Sequence, residues 1–170
     1  DVYKRQHGDW TPPDGLPDLF IAMGQTAENV AELKGVSREA MDEYGVMSQN
    51  KAEAAISRGF FEMDITPVTM PDGTVVTTDD GPRAGVTLDA VSQLNPVFRP
   101  DGRVTAGNAC PLNDGAAAVV VMSRKRAEEL GITPLARIIA SSVSALNPEI
   151  MGLGPIEAIK RVMARANMTM

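Results

Sequence analysis

Val104-Thr105-Ala106-Gly107-Asn108-Ala109-Cys110-Pro111-Leu112-Asn113-Asp114-Gly115-Ala116-Ala117-Ala118 is the stretch on which the reading of this chain turns. Its first half is a glycine- and asparagine-bearing turn, where a missing side chain lets a ligand approach the backbone closely. Its second half runs into an almost wholly apolar segment over residues 115–122. That length predicts a strand covered on both faces, with a buried helix as the alternative that three consecutive alanines leave open. Cys110 has two readings at this stage, a nucleophile or a small buried side chain in a tight turn. No histidine or basic residue stands near it in sequence to activate the thiol, so the second reading is the stronger.

Upstream of this turn the chain is helical and then β-prone. Residues 7–18, rich in Gly, Pro and Asp, read as loop. A helix is expected over residues 26–34, capped by Thr26 and stopped by Gly35. A second helix is expected after Ser37, with Met41, Tyr44, Ser48, Ala52 and Ala55 as its buried stripe and Gly59 as its left-handed end. Residues 65–70 and 74–78 are β-prone and joined through Pro71-Asp72-Gly73, a tripeptide suited to a turn. Asp79-Asp80-Gly81-Pro82-Arg83 reads as an exposed loop, residues 88–94 as a short helix, and Arg99-Pro100-Asp101-Gly102 as another turn.

Downstream, Ser123 is expected to cap a short charged helix ending at Leu130-Gly131, and Ile132-Thr133-Pro134 to link two domains. Residues 136–143 read as a strand. Gly154-Pro155 opens an amphipathic helix, with proline at its first position and Ile156, Ile159, Val162, Met163 and Ala166 on its inner face. One strand and one helix cannot close a sheet of their own, so the sequence is expected to be a piece of a longer protein. The hexapeptide Asp1-Val2-Tyr3-Lys4-Arg5-Gln6 is read as foreign to the rest.

Bulk properties narrow the function classes. With 170 residues and 44% hydrophobic content the chain can bury a sizeable core. A net charge of −6 and no lysine–arginine stripe argue against a nucleic-acid partner. No apolar run is long enough to span a membrane, and no secretory leader pattern opens the sequence. A single cysteine fits a reducing compartment, so cytoplasmic localisation is expected. One cysteine and one histidine, His7, cannot build a zinc centre or a Cys–His pair. Asp79 and Asp80 are read as solvated carboxylates, and Gly152-x-Gly154 alone is a weak phosphate-loop signal. Neither a metal site nor a catalytic constellation is expected.

The quoted stretch resembles the thiolase signature Thr-Ala-Gly-Asn-Ala-Ser-x-x-Asn-Asp-Gly-Ala-Ala-Ala. Three further matches follow the order and spacing of that family: Ala22-Met23-Gly24-Gln25-Thr26-Ala27-Glu28-Asn29-Val30, Ser48-Gln49-Asn50-Lys51-Ala52, and Asn147-Pro148-Glu149-Ile150-Met151-Gly152-Leu153-Gly154-Pro155. The resemblance covers the chain from about residue 16 to its end.

It implies an α/β fold, a thiolase-type layered mixed sheet with an inserted loop domain, incomplete in this chain. Residues 1–15 would be linker. Residues 16–131 would close the N-terminal half, loop domain included, and residues 132–170 would begin the C-terminal half. The implied activity is acyl-CoA C-acyltransfer of the fatty-acid β-oxidation type: thiolysis or condensation of 3-ketoacyl-CoA by a ping-pong route. A cysteine takes the acyl group, a Gly-His-Pro histidine activates it, and a second cysteine moves protons, with an oxyanion hole stabilising developing charge. None of these catalytic residues is in this sequence, so the chain alone is expected to be inactive.

What the resemblance does carry over is the coenzyme A side. Cys110 stands where the family has serine, beside the pantetheine arm, and a thiol is the poorer hydrogen-bond donor. Ala106, Gly107 and Leu112 would line the same channel. Arg83 would meet the nucleotide end, where a guanidinium pairs with phosphate oxygens or stacks on adenine. Ala90 would touch the adenine and Phe98 the neck of the tunnel, while Met23 and Met151 would border the acyl pocket. Coenzyme A would be a substrate, with no permanently bound cofactor. The expected partners are acyl-CoA and CoA, in a homodimer or homotetramer. The rival reading is a thiolase-like lipid or sterol carrier that binds acyl-CoA without turnover.

Overall fold

Ser37 and Gly35 sit side by side between the first two helices, and each does a different job there. The computed structural model describes residues 14, 15 and 17–170; His7 and the hexapeptide lie outside the described residues. Helix α1 spans Met23–Lys34 and ends at Gly35, whose φ of 66° is open to a residue without Cβ. The Val36 amide donates back to the Ala31 carbonyl at 2.9 Å, closing the helix end. Helix α2, Arg38–Ser57, then begins on the Ser37 hydroxyl, which accepts from the Ala40 amide.

Three expectations about these helices are corrected. α1 starts three residues before Thr26, and the Thr26 hydroxyl donates to the Met23 carbonyl inside the helix instead of capping it. On α2, Tyr44 and Ser48 are exposed. The inward face runs through Asp42, Gly45 and Ala55, with Asp42 and Ala55 buried. At Asp42 and Gly45 that face is rotated by one residue, about 100°, from the apolar stripe. It turns inward where Gly45 meets the Gly107 carbonyl, an approach so close that a Cβ on Gly45 would lie 2.5 Å from that oxygen. Gly59 has the expected positive φ but begins a 3-10 turn, Phe60–Met63, while Arg58 caps α2.

The β-prone pair forms a short antiparallel hairpin of β1, Val68–Thr69, and β2, Val75–Val76, with Val68 opposite Val76. The Asp72 carboxylate accepts from the Thr74 amide at 2.9 Å within the expected turn. The following loop is fastened to α2: the Arg83 amide donates to Gln49 Oε1 and the Gly85 amide to Glu53 Oε2. Thr87 then caps α3, Leu88–Ser92. All of this belongs to one compact unit, Phe20–Cys110.

The second unit comprises Pro111–Met170 with the residues through Leu19. Ser123 caps α4, Arg124–Glu129, as expected. A 3-10 segment over Pro148–Leu153 leads into α5, Gly154–Ala166, with Pro155 in its first turn. The two strands expected here do not form. Residues 115–122 make no ladder, and Val119, Val120 and Val121 are 86%, 85% and 71% exposed. Residues 136–143 make none either.

The reason is physical. A strand is stabilised by a neighbour's hydrogen bonds and by cover on its faces, and among the described residues the only sheet is the β1–β2 hairpin. Residues 141 and 143 do lie along α5, where Arg165 donates to the Ser141 carbonyl at 2.6 Å and Arg161 to the Val143 carbonyl at 3.1 Å. The apolar stripe of α5 is present but unburied: Ile156 and Ile159 are 46% and 44% exposed.

Candidate functional site: the 104–108 turn and its supports

Two carboxylates with almost no exposure hold the signature turn from below. Glu28 on α1 is 2% exposed, and its Oε1 accepts from the amides of Arg103 and Val104, both at 2.7 Å. A Cβ on Gly102 would fall 2.5 Å from that same oxygen, so only glycine lets the chain pass there. Arg99 fixes the turn preceding it by spreading over α1. Its guanidinium donates to Gln25 Oε1 at 3.0 Å, to Glu32 Oε2 at 3.2 Å and to Asn29 Oδ1. Gln25 completes the clamp by donating to the Phe98 carbonyl at 2.7 Å.

Asp42 on α2, 1% exposed, is the second support. Its Oδ1 accepts from Asn108 Nδ2 at 2.8 Å and its Oδ2 from Arg38 Nε at 2.6 Å. Asn108 ties the turn to itself: its Nδ2 also donates to the Arg103 carbonyl, and its Oδ1 accepts from the Thr105 amide. Thr105 is wholly buried, and its hydroxyl accepts from the Gly107 amide at 3.1 Å. The Asn108 amide donates to the Thr105 carbonyl. Every amide of the turn is thus bonded internally except that of Ala106, which is exposed and makes no hydrogen bond within the described residues.

Gly107 lies against α3 and its exit: a Cβ there would meet Val91 Cγ1 at 2.6 Å and Leu94 Cδ1 at 2.9 Å. The turn therefore sits on α3, the helix that carries Ala90. Phe98 packs its ring over Gly24, where a Cβ would lie 2.0 Å from the ring, and so lies beside Met23 in the chain. Arg83 is exposed, held through its backbone to Gln49. The nine expected residues thus fall into separate groups. Phe98 and Met23 share one end of α1, Ala106, Gly107 and Ala90 surround the turn and α3, and Arg83 lies in the loop fastened to α2.

Cys110 is exposed, which corrects its reading as a small buried side chain. Leu112 and Met151 belong to the second unit, and both are exposed. A groove of about 530 Å³ along α2, lined by Glu43, Val46, Met47, Asn50, Lys51, Ala54 and Leu88, contains none of the nine. Neither does one of about 620 Å³ between residues 141–144 and α5.

Among the described residues no group of three or more His, Cys, Asp or Glu side chains is gathered as a metal would require. No helix among them is long and apolar enough to cross a membrane. Two exposed carboxyls are shifted. Asp72 is held below the ordinary aspartate range, first by the Thr74 backbone amide and then by the Thr74 side chain. Glu157 is lowered by the hydrogen bond and charge of Lys160, with Arg161 adding a smaller attraction.

The supports Glu28, Asp42, Arg38 and Arg99 escaped the sequence reading. A charged residue on a helix usually marks the solvent face, and only the partner amides, far away in the chain, show otherwise. The one available signal was spacing: Arg38 and Asp42 stand four apart, as helical ion pairs do.

Comparison with known proteins places these features in a family. Residues 2–125 match the family model described as thiolase, N-terminal domain. An acetyl-CoA acetyltransferase of Cupriavidus necator is 51% identical over 162 residues, 92% of this chain and 41% of that protein. The solved acetyl-CoA acetyltransferase of Bacillus anthracis superimposes with a TM-score of 0.82 at 41% identity, covering 91% of this chain and 40% of that one. The human mitochondrial 3-ketoacyl-CoA thiolase in complex with CoA gives 0.79 at 38% identity, over 88% and 38%. The chain therefore spans about two fifths of the length of these relatives, and its α/β path is that of the thiolase fold.

Proposed function

The chain belongs to the thiolase family, and on that premise we propose that it furnishes the coenzyme A surface and part of the acyl pocket of an acyl-CoA C-acyltransferase. The reaction is thiolysis or condensation of 3-ketoacyl-CoA, of the kind used in fatty-acid breakdown, carried out in the cytoplasm by a homodimer or homotetramer. Residues 16–131 complete the first half of such an enzyme and residues 132–170 open the second. One observation carries the reading. In a turn whose other amides are already bonded, the N–H of Ala106, an exposed residue, has no partner among the described residues. A pantetheine arm carries amide carbonyls along its length, and an unpaired N–H on a turn held from two helices is what one of them can pair with at little ordering cost.

Gly107 stands beside that N–H in the channel and Cys110 borders it sterically more than by hydrogen bonding, while Leu112 of the second unit is assigned to the channel by the family resemblance alone. Phe98 forms the neck, Met23 and Met151 border the acyl group, and Ala90 and Arg83 meet the nucleotide. The chemical step needs two cysteines and a histidine on one site. This sequence holds one cysteine, at the family's serine position, and one histidine, His7. The chain is therefore a binding surface that acts with catalytic residues from elsewhere in the enzyme. Mixing it with acetoacetyl-CoA and free CoA is expected to give no thiolysis while CoA binds saturably. Turnover above a buffer control, or no CoA binding, overturns the proposal.

A further inference from the structure

We propose that Arg38 and Asp42 are a positioning pair that sets the spacing between the pantetheine end and the nucleotide end of the coenzyme A site, an assignment that rests on the function proposed above. The pair ties three elements together through side chains: α2, α3 and the 104–108 turn. From α2, Asp42 holds Asn108 and with it the turn that presents Ala106. From the same helix, Arg38 Nη2 donates to the carbonyls of Val91 at 3.1 Å, Ser92 at 3.4 Å and Leu94 at 2.9 Å. Those carbonyls lie at the C-terminal end of α3, the helix carrying Ala90, and just past it; the Val91 carbonyl also accepts from the Leu94 amide. The Arg38 Nε–Asp42 Oδ2 contact of 2.6 Å joins the two halves.

The arrangement is more than a stability device. An ion pair with its carboxylate buried and its guanidinium, as at Arg38, a quarter exposed contributes little net stability compared with apolar packing, and its best-attested use is to fix geometry. Here it fixes the distance between two surfaces assigned to opposite ends of one ligand. A ligand with two ends gains from the second contact only in proportion to how well the site's spacing matches its own span. Loosening the pair leaves each end's local contacts in place and removes the match between them.

That distinction gives the test. The 170-residue chain and its Asp42→Asn and Arg38→Lys variants are titrated by NMR with coenzyme A, with pantetheine and with adenosine 3′,5′-bisphosphate. Both variants are expected to bind coenzyme A about tenfold more weakly while binding each half-ligand within about twofold of the unsubstituted chain. Equal losses for all three ligands indicate general loosening and overturn the positioning role. Unchanged coenzyme A affinity overturns it as well. Should Asp42→Asn fail to fold by circular dichroism, Arg38→Lys decides by the same ratio, since lysine keeps the charge but not the fork that reaches α3. If the unsubstituted chain binds none of the three, the proposed function itself falls. If it binds coenzyme A and only the ratio fails, the function stands without this inference.

Discussion

Phe20–Cys110 and Pro111–Met170 are both rich in apolar residues, yet only the first builds an interior. Of the nine buried residues among those described, eight lie in Phe20–Cys110 and one, Ala127, in Pro111–Met170. The first unit reaches this with small apolar side chains around four buried polar ones, Thr26, Glu28, Asp42 and Thr105. The polar groups are affordable because their partners are in place: backbone amides for Glu28, Asn108 and Arg38 for Asp42. The second unit contains the more hydrophobic sequence, residues 116–122, and leaves it open to water. Apolar composition creates a demand for burial; a neighbouring element is what meets it.

The sharpest way to break this contrast is to place a charge at matched valines. Val104→Asp puts an unpaired carboxylate where the side chain is 3% exposed and is expected to cost about 4 kcal/mol or more, enough to unfold the first unit. Val120→Asp, at 85% exposure, is expected to stay within about 0.5 kcal/mol and to make the chain more soluble. Urea denaturation followed by circular dichroism reads both. Equal effects would mean that the second unit has an interior after all.

A smaller effect separates two glycines. Gly107→Ala brings a methyl against Val91 and Leu94 and is expected to cost about 1–3 kcal/mol. Gly115→Ala meets nothing within 4 Å and is expected to be neutral or slightly stabilising. Thermal melts of the two variants side by side check the sign of each.

The smallest effect concerns Asp72 in the first unit and Glu157 in the second. Both carboxyls titrate below their ordinary values, so each contributes stability that is present above the unfolded value and lost as pH falls through the depressed folded one. The causes differ, and salt should separate them. Raising ionic strength is expected to move Glu157 back toward its ordinary value, because Lys160 acts on it partly through charge across solvent. Asp72, held by the Thr74 amide, should move less. Side-chain carboxyl NMR titrations at low and high salt provide the comparison, and equal salt responses would show that the two causes are not distinct.

Several elements were legible in the residues because their causes are local. Ser37 and Ser123, where helices were expected to begin, each accept an amide at a helix start. Gly35 ends α1 through the left-handed region, Pro71-Asp72-Gly73 turns the hairpin, and Pro155 opens α5. The start of α1 was misread because Thr26 has a hydroxyl that caps as readily as it bonds back into a helix. The inward face of α2 was misread because its face is chosen by Gly45 meeting Gly107, two residues with no hydrophobicity to reveal it. Ala106 and Gly107 were legible as a turn, whereas the place of Cys110 outside it and the depth of Glu28 and Asp42 beneath it were not.

Most caps, turns and helix ends, and the family signature, depend on contacts within a few residues, and for these the order of amino acids was enough, the start of α1 and the end of α2 excepted. Which carboxylates go inside, which helix face turns inward, and which apolar segments find cover depend on partners 50 to 80 positions away, as the pairings of Glu28 with Val104 and Asp42 with Asn108 illustrate. Such choices are made only when the chain closes on itself, because the free energy of burying a charge or a strand is favourable only once the specific donor or neighbouring strand stands beside it.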